Sequence, residues 1–126
     1  MKNAVMIILE EDGKFLLGKR SAWKESAPGY WCPISGHVED NESEEDAVVR
    51  EAKEELGIEV EPLAKITSTP THDKKVMLHW WRAKILEGRP VINNKENEEL
   101  RWFTRAELNH LEPVFKEDVE IILKLL

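Results

Sequence analysis

Residues 76–86 constrain the fold more than any other segment. In an extended strand successive side chains point to opposite faces. Val76, Leu78 and Trp80 then share one face, and Met77, Trp81, Ala83 and Ile85 share the other. A strand apolar on both faces belongs inside a sheet covered on two sides. Helices must supply the cover. Ser43 sets an N-cap, Glu44, Glu45 and Asp46 complement the positive end of a helix, and Gly57 stops it. Thr104 caps a second helix beginning Arg105-Ala106-Glu107-Leu108, and residues 114–126 form a last amphipathic helix.

Strands account for most of the rest. Residues 5–9 and 14–20 flank Asp12-Gly13, a hairpin turn pair that tolerates positive φ. Residues 30–31 and 36–38 are short extended pieces around Pro33, residues 58–60 and 64–69 are two further strands, and residues 100–103 are another. Residues 21–29 read as a polar loop. The expected fold class is α/β (α+β), an α/β/α sandwich around a mixed β-sheet, in one domain over residues 1–126.

Composition narrows the function. The chain has 18 basic and 25 acidic side chains and a net charge of −7. That argues against general nucleic-acid binding and against anionic membranes, which require a basic surface. A single cysteine, Cys32, excludes an internal disulfide framework and a cysteine-rich zinc site. It reads as a buried apolar side chain. The early apolar run ends in Glu10, Glu11 and Asp12, too soon for a membrane span and wrong for a signal peptide. The expectation is a soluble cytoplasmic protein, monomer or homodimer.

The chemistry concentrates in residues 36–58. At about 100° per residue, Glu51, Glu54 and Glu55 fall within roughly a 100° arc of one helix face. Val48, Val49, Ala52 and Leu56 fall on the adjacent arc, which docks on the sheet. Three carboxylates on one side of a docked helix repel one another unless a cation lies between them. A hard divalent ion, Mg²⁺ or Mn²⁺, is the natural neutraliser. Arg50 and Glu42 can pair and fix the preceding loop to the helix. The plainer reading is a solvated acidic face in a Glu-rich chain.

The full pattern decides between them. Gly36, five residues, Glu42, seven residues, then Arg50-Glu51-Ala52-Lys53-Glu54-Glu55-Leu56-Gly57-Ile58 resembles the signature of the Nudix hydrolase family, the MutT-like pyrophosphohydrolases. All seven fixed positions are filled, a chance event on the order of one in 10⁵ for this composition. The resemblance implies the Nudix fold and hydrolysis of a nucleoside diphosphate linked to another moiety. It implies metal ligation by Glu51, Glu54 and Glu55, with the Gly36 carbonyl as a further ligand. Arg50 would brace the site with Glu42 as its structural partner. A carboxylate takes the proton of the attacking water, with Glu54, Glu55, Glu96 and Glu99 as candidates.

Pocket residues carry weaker signals. Arg20 ends the second strand where the family often places a substrate-facing base. Trp31 and Trp81 are the pocket tryptophans expected to stack on a nucleobase. His37 reads as a positioning residue. One departure is that Trp31-Cys32-Pro33-Ile34-Ser35-Gly36 replaces the Trp-x-x-Pro-Gly-Gly of many members. It looks more like the form seen in dinucleoside tetraphosphate hydrolases. A nucleoside triphosphate or dinucleoside polyphosphate is therefore the expected small-molecule substrate. A nucleotide-sensing module without turnover is the alternative from another class. The isoprenoid diphosphate isomerase branch lacks its catalytic cysteine context here.

Overall fold

The structure is a computed structural model that describes residues 1–93 and 95–126. Strand β1 (Lys2–Glu11) turns into β2 (Lys14–Arg20) through Asp12 and Gly13, both at positive φ (52° and 75°). Two short strands follow, β3 (Trp31–Cys32) and β4 (Ile34–His37), then helix α1 (Glu44–Leu56). Strands β5 (Glu59–Pro70), β6 (Val76–Glu87) and β7 (Asn97–Thr104) precede helices α2 (Arg105–Leu108) and α3 (Lys116–Leu125). The strands form one mixed sheet in which β1 runs parallel to β6 on one edge. Its other edge is shared: β4 pairs with residues 4–7, and β2 takes over at Glu10 and Glu11. Along its own length β2 pairs with β7.

Both faces of this sheet are buried. Val5, Ile7 and Leu9 of β1 pack with Ala47, Val48, Ala52 and Leu56 of α1. Met6 and Ile8 point the other way, to Phe15, Trp80, Phe103 and the α3 residues Val119 and Ile122. Strand β6 divides likewise: Ala83 joins the α1 core with Trp81 and Ile85 against it, whereas Trp80 and Leu78 face α3. Ser43 caps α1 by accepting from the Asp46 N–H at 3.1 Å, and Gly57 closes it at φ 69°.

Several strand ends shift by a few residues from the sequence reading, β1 extending from 5–9 to Lys2–Glu11 and β4 moving from 36–38 to Ile34–His37, and three boundaries differ for clear structural reasons. The strands expected at 58–60 and 64–69 are one twelve-residue strand, β5, with register shifts on both sides of Pro62. Proline cannot donate to a ladder, but β5 is the last strand of the sheet and a bulge absorbs the missing bond. The last helix starts at Lys116 rather than at 114. Val114 instead bridges to Trp31 in parallel, and the Trp31 N–H donates to the Pro113 carbonyl at 3.0 Å. Strand β7 reaches back to Asn97, because β2 offers Lys19 to Glu99 and Arg20 to Asn97 across a bulge.

Helix α3 carries Asp118 into the second core. Loss of water pushes its carboxyl up to about 7, Glu117 adds repulsion, and His72 opposes both. The folded chain therefore holds this proton more tightly than the unfolded chain. Stability falls as pH rises from about 4 to about 7 and levels off above. The expected result is that Asp118→Asn widens its stability advantage over wild type by about 2 kcal/mol between pH 5 and 8. Thermal melts in that range check it, and a gap independent of pH contradicts it.

Candidate active site

Helix α1 presents its carboxylates toward β4. Glu51 and Glu55 are 7% and 9% exposed, and Glu54 lies on the solvent side of the same face. The Glu51 carboxylate fills the space a side chain at Gly36 would need. A Cβ on Gly36 would stand 2.0 Å from the Glu51 carboxyl carbon, so only glycine lets backbone and carboxylate meet there.

Arg50 organises this corner. Its Nε and Nη2 donate to the two Glu42 oxygens at 2.8 and 2.9 Å, a bidentate pair. Nη1 donates to Glu51 at 2.8 Å and to Glu54 at 3.2 Å, and Nη2 also reaches the His37 carbonyl at 2.9 Å. One guanidinium thus ties the loop before α1, the end of β4 and two carboxylates together. The Arg50 hydrogen bonds, with the Glu39 N–H, hold the Glu42 carboxyl down at about 2. The Glu51 carboxyl moves the other way. Burial raises it and repulsion from Glu55 and Glu54 adds to that, against the pull of Arg50.

The C-terminal end of α1 is anchored by the stretch that follows β6. The Val91 N–H donates to the Leu56 carbonyl at 3.1 Å, the Asn93 N–H to the Glu55 carbonyl at 3.0 Å, and Asn93 Nδ2 to the Glu54 carbonyl at 3.1 Å. Carbonyls that a helix end leaves unpaired are satisfied this way. The same anchoring brings the chain before β7 beside the carboxylate helix. A narrow cleft results, lined by Arg20, Cys32, Ser35, Glu55, Glu96 and Asn97. Arg20 spends its Nε on the Ser26 carbonyl at 2.9 Å. Burial pushes the Cys32 thiol up to about 12, so it offers no thiolate at neutral pH. Cys32 is only half-buried and lines the cleft, where the sequence suggested a core side chain.

Not every residue singled out in the sequence reaches this cleft. Trp31 is 6% exposed and stacks edge-on against Phe103 at 5.1 Å in the α3-side core, so it cannot face a ligand. Trp81 packs on the α1-side core and donates to Glu44, in the first turn of α1, at 2.9 Å. The carboxylates lie on later turns, which leaves Trp81 at the wrong end of the helix. Glu99 is held by Arg101 at 2.6 Å, and Arg101 in turn covers the Trp31 ring. Of the two late carboxylates, Glu96 lines the cleft and Glu99 does not. The exposed tryptophan near the cleft is Trp23, 63% exposed, inside the segment that reads as a polar loop. Its neighbour Lys24 pairs with Glu96. No spacing in the sequence signals that contact.

Among the described residues no three His, Cys, Asp or Glu side chains already converge as a ligand group. Arg50 bridges Glu51 and Glu54. The donor types still suit a hard divalent cation: carboxylate oxygens around a backbone close enough to exclude any Cβ, with mutual repulsion that a cation would relieve.

A mixed sheet between helices, with an acidic helix facing an arginine across a narrow cleft, defines an α+β scaffold with an acid-lined site. The family model described as the NUDIX domain matches residues 1–125, and the chain belongs to that family, as a Nudix hydrolase. It is 36% identical over 112 residues to the CTP pyrophosphohydrolase of Escherichia coli strain K12, covering 85% of this chain and 78% of the relative. It is 35% identical over 98 residues to the NAD-capped RNA hydrolase NudC of Stutzerimonas stutzeri, covering 78% of this chain but only 35% of that protein. The structure of a MutT Nudix hydrolase from Burkholderia pseudomallei superposes with a TM-score of 0.86 at 25% identity, over 99% of this chain and 98% of that one.

Proposed function

We propose that the chain is a divalent-metal-dependent pyrophosphohydrolase. Its substrate would be a nucleoside diphosphate linked to another group, either a nucleoside triphosphate or a dinucleoside polyphosphate. The observation that carries this reading is the buried pair Glu51 and Glu55 on one helix face, with Glu51 seated against Gly36 and Glu55 lining the cleft that Arg20 shares. The CTP pyrophosphohydrolase relative supports the nucleotide class. No helix of the described residues is long and apolar enough to cross a membrane.

Glu51, Glu54, Glu55 and the Gly36 carbonyl would hold the metal, Mg²⁺ or Mn²⁺. When bound, such an ion withdraws charge from phosphate oxygens and makes a water molecule more acidic. The side chains divide the remaining work. Arg20 binds a phosphate oxygen, Arg50 holds Glu51 in place, and a cleft carboxylate, Glu55 or Glu96, accepts the water proton. The water oxygen bonds to phosphorus, the bridging P–O bond breaks, and its electron pair leaves with the departing phosphate.

The test is a hydrolysis panel with Mg²⁺ and product masses resolved, run beside a chelated control. It holds nucleoside triphosphates, dinucleoside polyphosphates, nucleotide sugars, ADP-ribose and a NAD-capped RNA. The expected result is phosphoanhydride cleavage of a small nucleotide that chelation abolishes. A panel silent in Mg²⁺ and in Mn²⁺ overturns the reading in favour of a nucleotide-binding module. Cleavage of the capped RNA alone overturns the small-nucleotide assignment.

A further inference from the structure

Beside the cleft lies a second, wider concavity of about 530 Å³, lined by Trp23, Ile92, Lys95, Asn97 and Glu98 among others. Asn97 lines both spaces, and Ser21 of the basin directly follows Arg20 of the cleft, so the two adjoin. The basin is a built feature. Ser21, buried at 6% exposure, donates its hydroxyl to the Lys95 carbonyl at 2.7 Å, and its N–H donates to the Glu96 carbonyl at 3.0 Å. Lys24 joins the two loops again through Glu96, and its ammonium lies 5.4 Å from the Trp23 ring centroid. Trp23 and Ile92 are nevertheless left 63% and 42% exposed. Large apolar side chains held open on a braced wall, next to a cleft, mark a ligand surface.

The chemistry of that surface selects its occupant. In a chain of net charge −7, Arg20 lines the cleft and Lys95 the basin, while Lys24 and Lys19 pair with the neighbouring carboxylates Glu96 and Glu98. Arg20 gives the Ser26 carbonyl one of its five N–H donors, the Nε. A chain of phosphates suits Arg20 and Lys95. Among the described residues the basin offers one ring face, while Asn97 packs against Gly18 and Glu98 pairs with Lys19 at 3.7 Å. Recognition by stacking alone tolerates any base, which fits a leaving group rather than the moiety that sets specificity.

We propose that the basin formed by Trp23 and Ile92 receives the second nucleoside of a dinucleoside polyphosphate. Its ring stacks on Trp23 while the bridging phosphates run past Arg20 into the cleft. This rests on the pyrophosphohydrolase reading and narrows its substrate class to two-headed nucleotides.

The experiment compares diadenosine tetraphosphate with adenosine 5′-tetraphosphate, which carries the same phosphates and lacks the second ring. KM is measured for wild type, Trp23→Ala and Trp23→Phe. The expected result is that Trp23→Ala raises KM for the two-headed substrate about tenfold more than for the one-headed one, and that Trp23→Phe restores most of it. Equal effects on both substrates, or no effect on either, overturn the proposal. If neither substrate is hydrolysed, the same ratio is read from equilibrium binding by calorimetry. A ring-dependent affinity lost in Trp23→Ala then upholds the basin while the hydrolase reading fails, and equal affinities overturn the basin. An unchanged Tm shows that the exposed side chain was removed without unfolding.

Discussion

Glu55→Gln lowers kcat by at least about a hundredfold and leaves the fold intact. The substitution keeps the shape of the side chain and removes only its charge. Glu55 is 9% exposed, lines the cleft, and belongs to the turn of α1 that Asn93 anchors through the Glu55 carbonyl. Removing one of three neighbouring carboxylates also relieves repulsion, so Tm stays level or rises. Glu54→Gln, on the more exposed position, is expected to cut kcat as well. A chelator titration separates the causes, because a lost metal ligand shifts the concentration of ion needed for half activity. Near-normal turnover in both variants, measured on the substrate the panel identifies, removes the carboxylate helix from the mechanism.

Arg50→Ala costs the fold as well as the activity. Alanine leaves Glu42 without its bidentate partner, Glu51 buried without a cation, and the His37 carbonyl without one donor. Breaking a partly buried charge network from one side costs about 3 kcal/mol, which for a domain of this size lowers Tm by roughly 10 °C. Lysine cannot repair it, since a single ammonium cannot span two carboxylates and a carbonyl in the guanidinium's fork. The pH dependence has a definite sign. The Glu42 carboxyl sits at about 2 in the folded chain, so the pair contributes above about 4.5 and is lost as pH falls toward 2. Wild type therefore loses stability across that window, and Arg50→Ala loses less. An unchanged Tm in Arg50→Ala shows that the arginine braces nothing.

Much of the acidic corner around α1 is legible because its relations are local. The arc of Glu51, Glu54 and Glu55, the Ser43 cap and the Gly57 stop all lie within one helix and its flanks, where a fixed rise and twist convert spacing into geometry. The two-sided strand at 76–86 announced a covered sheet for the same reason, and Trp80 and Trp81 divide between the two cores accordingly. Tryptophan identity alone could not say which rings meet a ligand. Trp31 is drawn inward by its bridge to Val114 and by the Phe103 edge, partners 72 or more residues away along the chain.

The late carboxylates make the same point. Glu96 and Glu99 are three residues apart in an acidic run that would pass as an exposed loop. A bulge opposite Lys19 and Arg20, together with the Ser21 bonds to Lys95 and Glu96, sets one beside the cleft and leaves the other on a strand with Arg101. Residue order along α1 was enough to assign the acidic face, because hydrogen bonds four residues apart leave that face no freedom. The cleft and the Trp23 basin depend on loops joined across more than 70 residues. Such contacts form only when β2 and β7 have paired, and no periodicity in the chain records where they fall.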